Sequence, residues 1–242
     1  MVRLQKVRSM GENLDKLQEE VLGLMSKGKY IAPVKLLIPT LKSIEKTDIP
    51  RFGDFLVDLA RMYPDLFIEK IYIAFHFKAR KLVSQEILYE LDKYIIDNYC
   101  LLEGEIPVDL FLGSLRETYN HINNGRIFLT NFRIIACGYP LITGTTSSIG
   151  PKSFAQIGMD FAHAKKGETL RKSMNKSINK LDVITYGYYY PIHNARKIKK
   201  GKSHISYKVN MKVYITPSKS IKDRARKEEI LSNIETLLIQ NQ

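Results

Sequence analysis

The stretch Gly125-Arg-Ile-Phe-Leu-Thr-Asn-Phe-Arg-Ile-Ile-Ala-Cys-Gly138 decides how the second half of this chain is read. A short apolar run, Ile127 to Leu129, meets the polar pair Thr130-Asn131. A second apolar run, Phe132 to Cys137, follows at once and stops at a glycine. Runs of this length suit strands better than helices, and their β-branched and aromatic side chains fit a pleated surface. The Thr-Asn pair supplies turn chemistry. The stretch therefore predicts two antiparallel strands with Leu129, Phe132, Ile134 and Ile135 in the core. Arg133 is expected to reach across the sheet and anchor a neighbouring strand or a helix. For Arg126 a structural role and an anion contact are both open.

Working outward, Ile106 to Leu115 reads as a strand, and Asn123-Asn124-Gly125 reads as a turn leading into Arg126. Further strand-like runs are Ser153 to Ile157, Leu181 to Tyr190 and Ser206 to Thr216. In the last of these, Tyr207, Val209, Met211, Val213 and Ile215 alternate with Lys208, Asn210, Lys212 and Tyr214, which predicts a sheet with one wet face. The chain ends in a helical pattern from about Lys222 to Gln240, with Ile230, Ile234, Leu237 and Leu238 on one side. Strands followed by a single helix give an α+β layout, a curved sheet or partly open β-barrel capped by a C-terminal helix.

Residues 1–98 have a different texture. Leu14, Leu17, Val21 and Leu22 follow helical spacing, with Gly28 as a stop. Further helices are expected over Ala32–Ile44, Pro50–Met62, Pro64–Lys81 and Ser84–Asn98. Pro33 is tolerated in its first turn, Pro39 is expected to end or kink its helix, and Ser84 is placed as an N-cap. These segments predict a helical bundle or hairpin array with no fixed repeat, followed by a strand-rich domain over residues 100–242.

Charge separates the same two regions. Residues 1–100 carry 16 Lys+Arg against 14 Asp+Glu, a net of +2, and residues 101–242 carry 22 against 11, a net of +11 out of +13. A one-sided positive field concentrates polyanions without choosing among them. The two cysteines, Cys100 and Cys137, have no partner at metal-ligand spacing, which speaks against a disulfide framework or a zinc site. The N-terminus has no signal-peptide pattern, and no apolar run approaches the roughly 20 residues needed to span a bilayer. A cytoplasmic protein with at most peripheral membrane contact is expected.

The Gly125–Gly138 stretch resembles the strand pair of GRAM and related pleckstrin-homology-like domains. There a glycine opens a strand, a Leu-Thr pair closes it, and a turn carrying an arginine leads into an apolar strand. Leu101-Leu-Glu-Gly-Glu105 resembles the Gly-Glu lead-in of that family, Tyr186 to Ile192 is similar to a later segment, and the closing helix matches in kind and position. The resemblance covers residues 100–242, with residues 142–180 as a long basic insertion. GLUE domains of membrane-sorting complexes are similar in carrying such inserts. The resemblance implies a non-enzymatic adaptor that recognises an anionic lipid headgroup, as phosphoinositide-binding members do, or an acidic protein surface.

The candidate anion-binding residues are Arg126, then Lys165, Lys166, Arg171 and Lys172 in the insertion, and Arg196, Lys197, Lys199, Lys200 and Lys202 in a segment that reads as a hairpin tip. Solvated surface is the alternative for the same lysines. Nucleic acid is another, because Tyr186, Tyr188, Tyr189 and Tyr190 lie beside the basic run and aromatic rings stack on bases. A ubiquitin-like protein partner is a third. Neither a catalytic constellation nor a cofactor or metal motif emerges: His76, His121, His163, His193 and His204 are isolated, and Asp109, Asp160 and Asp182 form no recognisable pair.

Overall fold

The computed structural model describes residues 2–117, 120–142 and 182–242, with side chains described for 14–117, 122–141 and 182–242. The run Ser153 to Ile157 and the basic insertion therefore lie outside the described residues. The chain divides into two compact units, Met1–Gly104 and Glu105–Gln242.

The first unit is all helix. It comprises α1 (Val2–Ser26), α2 (Pro33–Ser43), α3 (Ile49–Met62), α4 (Pro64–Leu66), α5 (Ile73–Leu82) and α6 (Gln85–Ile95). π-Helical turns at Phe67–Tyr72 and Ile96–Cys100 join α4 to α5 and extend α6. α2 runs through Pro39 to Ser43, so the proline does not end the helix. The Thr40 hydroxyl just beyond donates back to the Leu36 carbonyl at 3.0 Å. Ser84 caps α6, its Oγ accepting from the Ile87 N–H at 3.2 Å. Asp54 on α3 accepts from the Tyr94 and Tyr99 hydroxyls at 2.7 and 2.5 Å, tying α3 to the end of α6.

Among its described residues the second unit is a nine-stranded antiparallel sheet with one helix, so the protein is mixed helix and sheet, an α+β layout. Its strands are β1 (Pro107–Glu117), β2 (Asn120–Thr130), β3 (Arg133–Cys137), β4 (Pro140–Ile142), β5 (Asp182–Ile184), β6 (Gly187–Pro191), β7 (Arg196–Lys200), β8 (Ile205–Lys208) and β9 (Lys212–Pro217). The order across the sheet is β5-β6-β3-β2-β1-β9-β8-β7, and β4 pairs with β2 beside it. The sheet is open between β5 and β7 yet strongly curved. The Tyr207 hydroxyl on β8 donates to the Pro191 carbonyl on β6 at 3.4 Å, although four strands separate them in the hydrogen-bonded order.

The closing helix α7 (Arg224–Gln240) buries Ile230, Leu231, Ile234, Leu237 and Leu238 and packs on β7, β1, β8 and β9. Asp223 caps it by accepting from the Ala225 N–H at 2.8 Å. Asp109 on β1 accepts from Asn233 at 3.1 Å and from Arg226, pinning the helix to the first strand.

The deciding stretch forms β2 and β3 with a buried latch at their turn. Arg133 donates from Nε to Glu105 Oε1 at 2.9 Å and from its terminal nitrogen to Oε2 at 2.8 Å. The Thr130 hydroxyl lies 2.7 Å from Glu105 Oε1 and 2.9 Å from the Arg133 carbonyl, and accepts from the Arg133 N–H at 3.0 Å. Asn131 and Ile106 exchange two further bonds, at 2.8 and 3.1 Å. The partner of Arg133 is thus the lead-in to β1.

Three expected element boundaries change. Asn123-Asn124-Gly125 is not a turn: β2 runs through it from Asn120, and the register slips by one residue between Gly113↔Gly125 and Leu115↔Ile122. The extra residue makes a bulge, with Asn124 in the left-handed region at φ 50° and Ser114 Oγ bonded to Asn123 Oδ1 at 2.9 Å. A Cβ at Gly125 would lie 2.5 Å from Ile122 Cγ2 and 2.8 Å from the Cys137 carbonyl oxygen, so only glycine fits. The runs over Leu181–Tyr190 and Ser206–Thr216 are not single strands but the hairpins β5-β6 and β8-β9.

Candidate anion-binding groove

The β7-β8-β9 corner presents two faces of opposite character. Lys200, Ile205 and Ile215 lie in one register row, and Tyr207 and Val213 in another; both rows face α7 and the interior. Lys200 donates to Glu235 at 2.7 Å and to Ser232 at 3.2 Å, both on α7. Lys200 therefore fixes the helix, and its charge is already matched.

The opposite face carries an in-register row of three cations on three adjacent strands: Arg196 opposite Lys208, and Lys208 opposite Lys212. All three are exposed. Like charges directly across a ladder are unfavourable, and the register supplies no carboxylate between them. The next row, Lys199, Ser206 and Tyr214, adds a fourth cation. Lys212 holds its ammonium 4.7 Å from the centre of the Tyr214 ring, which keeps its stem against the sheet.

Lys197 joins them through the backbone. One extra residue in β7 between Arg196 and Lys199 breaks the register, and Lys197 takes the left-handed region at φ 53°. Bulges re-aim side chains, and non-glycine residues seldom sit at such angles. The outcome is a groove of about 470 Å³ lined by Lys197, Lys199, Lys208, Lys212, Asn210 and Met211, with no acidic residue among its lining residues. Four lysines lining one concavity give it a positive potential suited to a phosphate-rich anion.

The structure separates the candidate residues from one another. The segment expected as a hairpin tip is instead the paired strand β7, with the turn after it: Arg196, Lys197 and Lys199 belong to this face, and Lys202 is exposed in that turn. Arg126 is not a surface contact: it pairs with Leu112 and Cys137 in the middle of the sheet and is only 1% exposed, among the largest buried side chains. Its guanidinium cannot meet a headgroup without opening the core. Lys165, Lys166, Arg171 and Lys172 lie outside the described residues. Lys208 and Lys212 were absent from the candidates, although their alternation with apolar residues had placed them on a wet face.

The tyrosines beside the basic run are also reassigned. Tyr186, Tyr188 and Tyr190 are buried, so their rings are not open for stacking on bases; Tyr189 is half-buried, with the Arg133 guanidinium 5.1 Å from its centre. Among the described residues, no three His, Cys, Asp or Glu side chains converge to hold a metal ion, and no helix is long and apolar enough to cross a membrane. Compared with known protein families, curated proteins and solved structures, the chain matches none.

Proposed function

We propose that the strand-rich unit is a pleckstrin-homology-like module of the GRAM kind, and that the protein is a non-enzymatic adaptor that docks on anionic membrane headgroups. The in-register row Arg196–Lys208–Lys212 carries this reading, because uncompensated like charges on neighbouring strands are a standing cost that a bound anion removes. The bulge that turns Lys197 toward the same groove supports it. A curved antiparallel sheet with a C-terminal helix across one end supports the family reading. Contact with a cytoplasmic membrane surface follows, each lysine near an anionic leaflet contributing about 1 kcal/mol within a Debye length.

The full chain with Lys197, Lys199, Lys208 and Lys212 replaced by Glu should lose co-sedimentation with phosphoinositide-containing vesicles at moderate salt. Binding equal to that of the unaltered protein would remove the groove from the site.

A further inference from the structure

The turn between β8 and β9 places an apolar side chain at the rim of the lysine groove. Read along the chain, Val209 and Met211 fall on the apolar side of an alternation, together with Tyr207 and Val213. The hairpin changes their position. Lys208 pairs with Lys212, so Val209, Asn210 and Met211 form a three-residue turn outside the ladder. Val209 is half-buried there, and Met211 is 42% exposed.

A single exposed apolar residue needs no explanation, and Ile239 on α7 is one of that ordinary kind. Met211 differs in its company. The cation pair Lys208 and Lys212 closes the turn it sits in, and it lines the same groove as Lys197 and Lys199. Further along the strands, half-buried Tyr214 shares a register row with Ser206 and Lys199, and the Lys212 ammonium lies 4.7 Å from its ring. At about 3.3 Å per residue, the apolar tip, the lysine pair and the tyrosine row follow one another within about 10 Å. The surface of an anionic bilayer has the same sequence of layers: acyl chains, then phosphates, then the wet boundary where amphipathic tyrosines settle. Elements that lie in that boundary bury their apolar side chains about 5–10 Å deep, and lysine stems are long enough to keep their charges at the phosphates.

We infer that Met211 is a membrane-inserting side chain, and that the strand-rich unit meets an anionic bilayer with the β8-β9 turn first instead of laying the lysine face flat on it. The inference rests on the reading of the groove as a headgroup site and adds a contact that a dissolved phosphate cannot use. The lysines hold the headgroup, and Met211 enters the apolar layer beneath it. The same residues therefore distinguish a phosphate at a membrane from a phosphate in solution, because only the membrane supplies a phase that removes the exposed thioether from water.

The chain has no tryptophan, so Met211→Trp gives one reporter at the turn and Ile239→Trp gives a control on α7. Each full-length variant is mixed with phosphatidylcholine vesicles containing a phosphoinositide, with and without bromine on the acyl chains, and separately with inositol hexakisphosphate as a soluble probe. With vesicles, the Met211→Trp emission should shift to the blue and be quenched by the brominated chains; with the soluble probe it should do neither. The Ile239→Trp emission should stay unchanged throughout. Met211→Ser should weaken vesicle binding about three- to tenfold, since less than half of the side chain remains to be buried. It should leave the affinity for hexakisphosphate unchanged, which also shows that the groove is still folded. Vesicle binding without a shift at Met211→Trp, equal quenching of both reporters, or vesicle binding that Met211→Ser does not alter would overturn the inference and leave the groove standing. No binding of the unaltered chain to the vesicles would overturn the inference and the groove reading together.

Discussion

Replacing Arg133 with Met tests the latch at the turn between β2 and β3. The Glu105 side chain is fully buried and that of Arg133 is 7% exposed, and the pair is joined by two charge-assisted bonds at 2.9 and 2.8 Å. Methionine fills much of the same space and removes the charge that the Glu105 carboxylate is paired with. Removing one member of a buried pair costs about 3–5 kcal/mol. At about 1.4 kcal/mol per tenfold, amide protection in β1, β2 and β3 should fall by roughly 100- to 3,000-fold. Hydrogen exchange read by mass spectrometry resolves those strands. The double replacement Glu105→Leu with Arg133→Met should recover most of the loss, because no buried charge remains and Thr130 can still donate to the Arg133 backbone carbonyl. A loss under tenfold for the single variant, or a double variant as unstable as the single one, would refute the argument.

Other outcomes follow from the same geometry. Tyr188, Tyr190 and Tyr207 have phenols raised above the ordinary value of 10.0, first of all by burial. The native state therefore keeps protons that the unfolded chain loses. Stability is complete below about pH 10 and falls above it by up to about 1.4 kcal/mol per pH unit for each tyrosine. With 14 tyrosines and no tryptophan, tyrosinate absorbance should show a late group ionising together with loss of sheet circular dichroism. Gly125→Ala should cost about 1–3 kcal/mol in urea unfolding, since its Cβ would meet the Cys137 backbone. Lys200→Ala should cost about 1 kcal/mol or less, its ion pair with Glu235 being one-third exposed. It should also leave vesicle binding nearly intact, whereas Lys208→Ala should weaken binding and spare stability.

Parity explains which parts of this fold were legible in the sequence. The Gly125–Gly138 strands and the α7 stripe were visible because their apolar runs are unbroken and their spacing is regular. The β8-β9 hairpin was hidden because Tyr207 pairs with Val213 and Ile205 with Ile215. Partners an even number of residues apart keep the same alternation on both sides of the turn, so two strands read as one. That merging also concealed the groove: Lys208 and Lys212 fall on the wet face in either reading, but only the hairpin sets them opposite each other. Asn123-Asn124-Gly125 misled for a related reason, since a left-handed residue followed by glycine serves a bulge as well as a turn. Arg126 sits in a run with polar residues only at its ends, which carries no sign of which neighbours cover it. The bond between Tyr207 and Pro191 depends on the curl that brings β6 to β8, and no local pattern encodes that approach.

The central claim is tested most directly by co-sedimentation of the full chain with phosphoinositide-containing and neutral vesicles, at low and moderate salt, with and without a nucleic-acid competitor. The account predicts binding to the anionic vesicles that weakens with salt and survives the competitor. Equal binding to neutral vesicles, or binding abolished by the competitor, would contradict it.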